Sequence, residues 1–380
     1  MWMTTSTRLA NFGESVFATW SRIATENDAI NLGQGFPDFD APDFVKDAAI
    51  KAIQDGENQY SRPAGHPLLV QAIADIFEFP VDPMNEVTVS CGSTELISNV
   101  ILGLVNEGDE VLVIEPFYDS YTACLAMVGA SVKIVTLHAP EFTLDEAELR
   151  AAFSDKTKMI IVNSPHNPTG RVFTKKELSL IAELAIQHDA LVLSDEVYDK
   201  LVLTGKHIPI ATLPEMQQRT ITLRSLGKVF SVTGWKIGWA VAPQRLTEGI
   251  RCAHQFTTFC AATPLQVAAA TALRAPDSYF EAYTAEYRQR RDVLVEGLRS
   301  VGFNVHSPEG TYFVLADHTP FGFADDVAFC HHLAKQCKVV GIPPSAFYSQ
   351  SDEGKGLVRF AFCKGLDTLK KAVDRLQTIG

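Results

Sequence analysis

KMIIVNSPHNPTGRVFTKKELSLIAELAIQHDALVLSDEVY, residues 158–198, decides the fold. KMIIVN and ALVLSDEV are short β-rich runs built on the apolar stretches MIIV and ALVL. Between them, TKKELSLIAELAIQHD places Thr174 and Glu177 at capping-box spacing and gathers Leu178, Ile181, Leu184 and Ala185 on one apolar face. The unit therefore reads strand, crossover helix, strand, and strands apolar on both faces belong to a parallel sheet covered on both sides. Working outward, the same kind of run recurs as EVTVS, EVLVIEP and SVKIVTL on the N-terminal side and TITLRSLG and IGWAVAP on the C-terminal side. About seven buried strands between residues 86 and 243 are expected in one sheet.

Open sheets of this kind bind ligands at the carboxyl ends of their strands. The polar punctuation falls there: NSPHNPTG follows one run, DEVY ends the next, SLGK follows a third, and CGSTE opens a helix after the first. Taken singly, each candidate has an ordinary reading. Lys228 could be a surface lysine, Asp195 a solvated strand end, Asn167 a turn residue in Asn-Pro-x-Gly, and Arg359 a salt-bridge partner. Together they bring an amine, a carboxylate, an amide and a helix N-terminus to one crevice.

The rest of the chain bounds the function. A balance of 33 Lys+Arg against 45 Asp+Glu, with no basic block, argues against nucleic acid or anionic membrane as a partner. Seven scattered cysteines without a C-x-x-C pair suggest neither a disulfide framework nor a metal cluster, so no metal is expected. There is no signal-peptide-like start and no apolar run of about 18 residues, which makes a cytoplasmic location the expectation. After residue 276 the pattern becomes a long helical run, short strands and a closing helix. The predicted division is an N-terminal arm with the first part of a small domain (1–40), a large domain (41–276) and a C-terminal α+β small domain (277–380).

NLGQGFPDF (31–39), NQYSRPAGHP (58–67), CGSTE (91–95), EPFYDSY (115–121), NSPHNPTG (163–170), SDEVY (194–198), SLGKVFSVTGWKIGW (225–239), PEGTYF (308–313) and VRFAFC (358–363) follow one another in this order. In these motifs the chain resembles the fold-type I, class I/II aminotransferases that use pyridoxal 5'-phosphate (PLP), near the kynurenine and methionine aminotransferases. The resemblance implies an α/β fold: a large domain on a mostly parallel seven-stranded sheet plus a smaller α+β domain. It also implies a homodimer with shared active sites, and amino acid and 2-oxo acid substrates.

Residue by residue, Lys228 matches the lysine that carries PLP as a Schiff base and then moves the Cα proton. Asp195 matches the carboxylate beside the pyridine nitrogen, where a cation about 4 Å away at an effective dielectric near 20 is worth on the order of 4 kcal/mol. Tyr198 and Asn167 match the pair at the phenolic oxygen, and Tyr118 the ring-stacking aromatic. Ser93, Thr94, Ser225 and Lys236 match the phosphate cup, where backbone N–H groups at a helix start favour an anion; Tyr60 matches a tyrosine reaching that phosphate from the neighbouring subunit. Arg359 matches the arginine that grips the substrate carboxylate, helped by Gly35 and Asn167.

At the side-chain end the motif match is looser. Phe17, Ser93 and Cys260 align where kynurenine-preferring relatives carry a tryptophan, a tyrosine and a histidine, leaving an uncharged pocket with Phe17, Tyr312 and Phe347 as its walls. That suits a neutral donor of the sulfur-containing, aromatic, kynurenine or glutamine type more than aspartate; Arg62, beside Tyr60, is the residue able to reverse the preference. The alternative on the same scaffold is a cysteine-conjugate C–S β-lyase, distinguished by pyruvate and ammonia as products. A ligand-sensing module of a transcription regulator would need an N-terminal DNA-binding segment ahead of the pattern, which here begins by residue 31.

Overall fold

The structure, a computed structural model, describes residues 5–379. Thirteen strands are present among them. The first, β1 (Ile30–Asn31), belongs to a small pair taken up below. The next eight, β2 (Val87–Ser90), β3 (Glu110–Glu115), β4 (Ser131–His138), β5 (Thr143–Leu144), β6 (Thr157–Asn163), β7 (Leu191–Asp195), β8 (Thr220–Ser225) and β9 (Gly238–Val241), form one sheet in the order β2-β9-β8-β7-β6-β3-β4-β5. The neighbours from β8 through β7, β6 and β3 to β4 are parallel, and β9 runs antiparallel to both β8 and β2. The mostly parallel α/β sheet is thus present, with one strand more than expected. That strand, β5, pairs only Leu144 with Leu137 and Thr143 with His138, and two residues are too few to show a period-two pattern.

The sheet sorts its side chains by alternation. Val111, Val113, Met159, Ile161, Leu191 and Leu193 face one core, shared with Leu96 and Val100 of helix Ser93–Leu104 and with Leu246 and Ile250 of helix Gln244–Thr257. Leu112, Ile114, Ile160, Val162 and Val192 face the other, against Leu178, Ile181, Leu184 and Ala185 of helix Lys175–Gln187. Each such side chain contributes about 1.5–3 kcal/mol by leaving water, so a one-residue slip in register would be prohibitive. Helix Lys175–Gln187 starts where the sequence marks it: Thr174 accepts from the Glu177 N–H while the Glu177 carboxylate accepts from the Thr174 N–H.

A second layer carries β10 (Asn304–Val305), β11 (Phe313–Asp317) and β13 (Leu357–Ala361) as an antiparallel sheet, while β12 (Val339–Val340) pairs in parallel with β1. The Ala361 N–H donates to the Leu32 carbonyl and the Lys364 amine to the Phe36 carbonyl, so residues 32–36 lie against the end of β13. Among the described residues no helix is long and apolar enough to cross a membrane, and no cluster of His, Cys, Asp and Glu is placed to hold a metal ion.

Candidate active site

Asn163, Asp195 and Ser225 are the last residues of β6, β7 and β8, and a cavity of about 310 Å³ opens beside them. Asp195 is 4% exposed. Its Oδ2 accepts a 2.6 Å hydrogen bond from the Tyr121 hydroxyl and its Oδ1 a longer one from the Val197 N–H. Burial pushes the Asp195 carboxyl up to about 6, against those two bonds. Tyr198 follows, buried edge-on against Tyr312 with ring centroids 5.3 Å apart.

Lys228 lies on the one-turn helix Leu226–Val229, which Ser225 caps by accepting from the Gly227 N–H. The Tyr283 hydroxyl donates to the Lys228 carbonyl, anchoring that turn to helix Asp277–Val301. The Lys228 Nζ stands 5.7 Å from the rings of both Tyr198 and Tyr312. Enclosure pushes its amine down to about 8, and the charges of Lys236 and Arg359 act in the same direction. A lysine in this setting is partly neutral near physiological pH, as a nucleophile or base must be.

Beyond Asp195 a run of amides reaches the second layer. Asn163 donates to the Asp195 carbonyl and accepts from the Asn167 N–H, and the Asn167 side-chain oxygen accepts from Arg359 at 3.1 Å. Arg359, on β13, also donates to the Gly33 carbonyl at 2.8 Å, and its guanidinium lies 4.1 Å from the Phe313 ring centroid. Burial lowers it to about 10, so it remains a cation at neutral pH, and its buried Nε has no partner.

At the other end, Gly92 adopts φ +82° and leads into helix Ser93–Leu104. A Cβ on Gly92 would stand 3.1 Å from the Lys236 Nζ, and one on Gly238 would stand 2.7 Å from the Ser93 nitrogen. Glycine at both positions keeps that N–H and that amine open to the cavity. Thr94 and Tyr118 bring their hydroxyls to 3.4 Å of each other on the same wall.

Of the residues expected from sequence, Lys228, Asp195, Tyr198, Asn167, Ser93, Thr94, Tyr118, Ser225, Lys236, Arg359, Gly35 and Phe17 line this one cavity. Tyr312 and Phe347 do not, which corrects their expected place as walls. The Tyr312 hydroxyl is taken by the Gly35 carbonyl at 2.6 Å, and Phe347 packs beneath the Arg359 guanidinium, so both stand one layer behind the surface. Tyr60 is 83% exposed, its ring edge-on to Phe259, and is no part of its own chain's cavity. Arg62 lies outside as well, donating to the Met84 sulfur, and Cys260 does not border the cavity. Sequence reasoning missed Tyr121, Asn163 and Gln34, all of which line it. Asn163 ends the run KMIIVN as Asp195 ends ALVLSD, so the same strand-end signal marked it; Tyr121, at the start of helix Ser120–Val128, had no such signal.

The donor set fits a doubly anionic occupant. Lys228, Lys236 and Arg359 border the cavity, Asp195 is the one carboxylate that does, and none of the three cations makes a salt bridge among the described residues. Residues 27–376 match the family model for aminotransferase class I and II. A protein named probable N-succinyldiaminopimelate aminotransferase DapC, from Mycobacterium tuberculosis (strain CDC 1551 / Oshkosh), is 44% identical over 391 residues, covering 99% of this chain and 98% of its own. Kynurenine–oxoglutarate transaminase of Dictyostelium discoideum is 39% identical over 414 residues, with 98% and 95% covered. The crystal structure of YbdL from Escherichia coli, identified there as a methionine aminotransferase, is similar at a TM-score of 0.95 and 35% identity over 99% of this chain and 100% of that one. These relatives are fold-type I enzymes of a PLP-dependent family, and this chain belongs to that family, the class I and II aminotransferases.

Proposed function

We propose that this aminotransferase binds PLP on Lys228 and moves the amino group of a neutral L-amino acid to a 2-oxo acid in two alternating half-reactions. The observation that carries the reading is the charge pattern of the cavity: three cations without acid partners and one buried carboxylate. In this reading Lys236, Ser225 and the backbone at Ser93 and Thr94 hold the phosphate. Tyr118 covers the ring, and Tyr198 and Asn167 hydrogen-bond its phenolic oxygen. Asp195 supplies the negative charge at the ring nitrogen, and Arg359, Asn167 and Gly35 hold the substrate's α-carboxylate.

PLP, when bound, supplies the electron sink for the pair left when the substrate's Cα proton is removed. Lys228 is the base that takes that proton, since an amine brought down to about 8 has a free lone pair in a useful fraction of molecules. Asp195 gains from the ring's positive charge: a cation beside it draws its own proton affinity down from about 6, so the two charges stabilise each other.

Substrate choice follows from the cavity's cations: in this reading Lys228 and Lys236 serve the cofactor and Arg359 the α-carboxylate, which leaves none among the described lining residues for a side-chain carboxylate. A side-chain carboxylate brought into this cavity would be desolvated with Arg359 already engaged at the α-carboxylate, a large cost. Neutral side chains differ by only about 1–3 kcal/mol per methylene, so the preference among them is broad. Methionine, phenylalanine, tyrosine, kynurenine or glutamine are therefore expected to show higher kcat/KM than aspartate. The check is steady-state rates, with cofactor absorbance followed, over a panel that includes N-succinyldiaminopimelate, the compound in one relative's name. Aspartate as the best donor, with its advantage lost in Arg62→Ala, would overturn the neutral-pocket reading.

The exposure of Tyr60 supports a shared site, in which this tyrosine reaches the phosphate end of the partner subunit's cavity. Inactive Tyr60→Ala and Lys228→Ala chains, unfolded together and refolded, are expected to regain part of the activity as mixed dimers. Full activity in a species that sediments as a monomer contradicts this.

A further inference from the structure

Helix Gln244–Thr257 contributes no residue to the cavity, yet one of its side chains reaches toward it. His254, near the helix's C-terminus, is fully buried. Its Nδ1 lies 2.6 Å from Glu95 Oε1 and its Nε2 lies 2.9 Å from the Pro63 carbonyl oxygen. A carboxylate and a carbonyl can only accept. A neutral imidazole has one N–H, so at one of these two contacts it would press a lone pair against a lone pair. With Glu95 ionised, both contacts are met by a ring that donates from both nitrogens; the Asn99 side-chain nitrogen stands further off, 3.4 Å from Nδ1.

Around the ring, the charged neighbours decide how that cation is balanced. Arg251 of the same helix and Arg62 of the Tyr60 segment share a surface cleft with it, and both oppose a further positive charge. Glu95 is the carboxylate in direct contact. Burial works against the Glu95 charge, but bonds from His254, the Cys91 N–H and Asn99 hold its carboxyl below the usual range. Asn99 donates to Glu95 Oε1 at 2.9 Å and accepts from the Thr257 hydroxyl at 2.9 Å, which fixes the amide's orientation.

The two acceptors lie on the segments that matter for the anion-binding end. Glu95 is in the first turn of helix Ser93–Leu104, and its other oxygen accepts from the Cys91 N–H at 2.6 Å, pinning the residue before Gly92. Pro63 lies three residues beyond Tyr60 in a segment otherwise tied down by Thr263 and Gln266, through Gln59, Ser61 and His66.

We infer that His254, as an imidazolium paired with Glu95, is a positioning residue that holds the Gly92–Thr94 turn for the cofactor phosphate of its own cavity and the Tyr60 segment for that of the partner subunit. The inference rests on the cofactor reading given above. It acts on the phosphate end alone, because its contacts reach neither Asp195 nor Lys228.

The test compares PLP with pyridoxal, which lacks the phosphate, as ligands of the cofactor-free protein. In His254→Gln, and separately in the isosteric Glu95→Gln, affinity for PLP is expected to fall about tenfold or more, the scale of losing a hydrogen bond to a charged group. Affinity for pyridoxal is expected to stay within about twofold. Equal weakening of both ligands means general damage and overturns the inference, as does an unchanged preference for PLP. A wild-type protein with no preference for PLP over pyridoxal counts against the cofactor reading itself.

Discussion

Lys228→Ala is expected to reduce turnover by at least about a hundredfold to ten-thousandfold, the usual range for loss of a positioned base, and to abolish reductive attachment of the cofactor to the chain. The lysine has no substitute: Lys236 is at the phosphate end against Gly92, and Arg359 is held by Asn167 and Gly33. Borohydride treatment followed by peptide mapping checks the assignment, and cofactor fixed to the variant chain would refute it. The same substitution is expected to stabilise the cofactor-free fold. Enclosure lowers the Lys228 amine from 10.5 to about 8, so the unfolded chain binds this proton more tightly than the folded one. The resulting penalty is fully present below pH 8 and fades as pH rises toward 10.5. Thermal melts of cofactor-free protein should therefore show the alanine variant above wild type at pH 7, with the gap closing at alkaline pH. A variant that melts lower throughout would show that the lysine's packing outweighs its charge.

Asp195→Asn is expected to leave a protein that still takes up PLP but turns over about a thousandfold more slowly, since about 4 kcal/mol of ion pairing with the ring is lost. In the wild type the carboxyl, near 6 in the empty cavity and drawn lower by the ring's positive charge, must be charged to do this work, so activity falls on the acid side of pH 6 as Asp195 takes a proton. That acid limb should be absent in the asparagine variant. Tyr121→Phe gives a graded comparison. It removes the 2.6 Å donor to Asp195, raises the carboxyl further, and should shift the acid limb upward with about tenfold lower activity. Pre-steady-state absorbance changes with one amino acid donor, taken from pH 5 to 8, check all three proteins; near-normal rates in Asp195→Asn would remove the carboxylate from the electron-withdrawing role.

Legibility in the sequence tracked how local each signal was. Asp195, Asn167 and Ser225 stand at or just after β-rich runs, and parallel sheets bind ligands at their carboxyl ends, so the sequence itself marks these positions. Lys228 follows Ser225 by three residues and inherits its place. Tyr121 carried no such mark, because its partner Asp195 is 74 residues away and only the packing of helix Ser120–Val128 on the sheet joins them. Tyr312 misled in the opposite sense. It stands in a motif that belongs to the site, yet whether an aromatic ring faces the cavity or supports it depends on which carbonyl takes its hydroxyl, and here the Gly35 carbonyl does. The two-residue strand β5 is invisible for a simpler reason, being no longer than a single repeat of the pattern that reveals strands.

The pairing of β2 with β9 also dictates when the anion-binding end of the cavity can first assemble. Val87 lies opposite Val241, and every other strand of the large sheet is synthesised between them. The Ser93 turn therefore cannot meet Lys236 and Gly238 until well over half of the polypeptide has left the ribosome, and Arg359 of β13 arrives later still. Such distant closures carry a large loop entropy and are slow compared with helix or hairpin formation. Until they occur, the nascent β2 is an unpaired edge, exposed to wrong partners and without a ligand to stabilise it. The anion-binding end of the cavity is consequently completed late in the biogenesis of this protein.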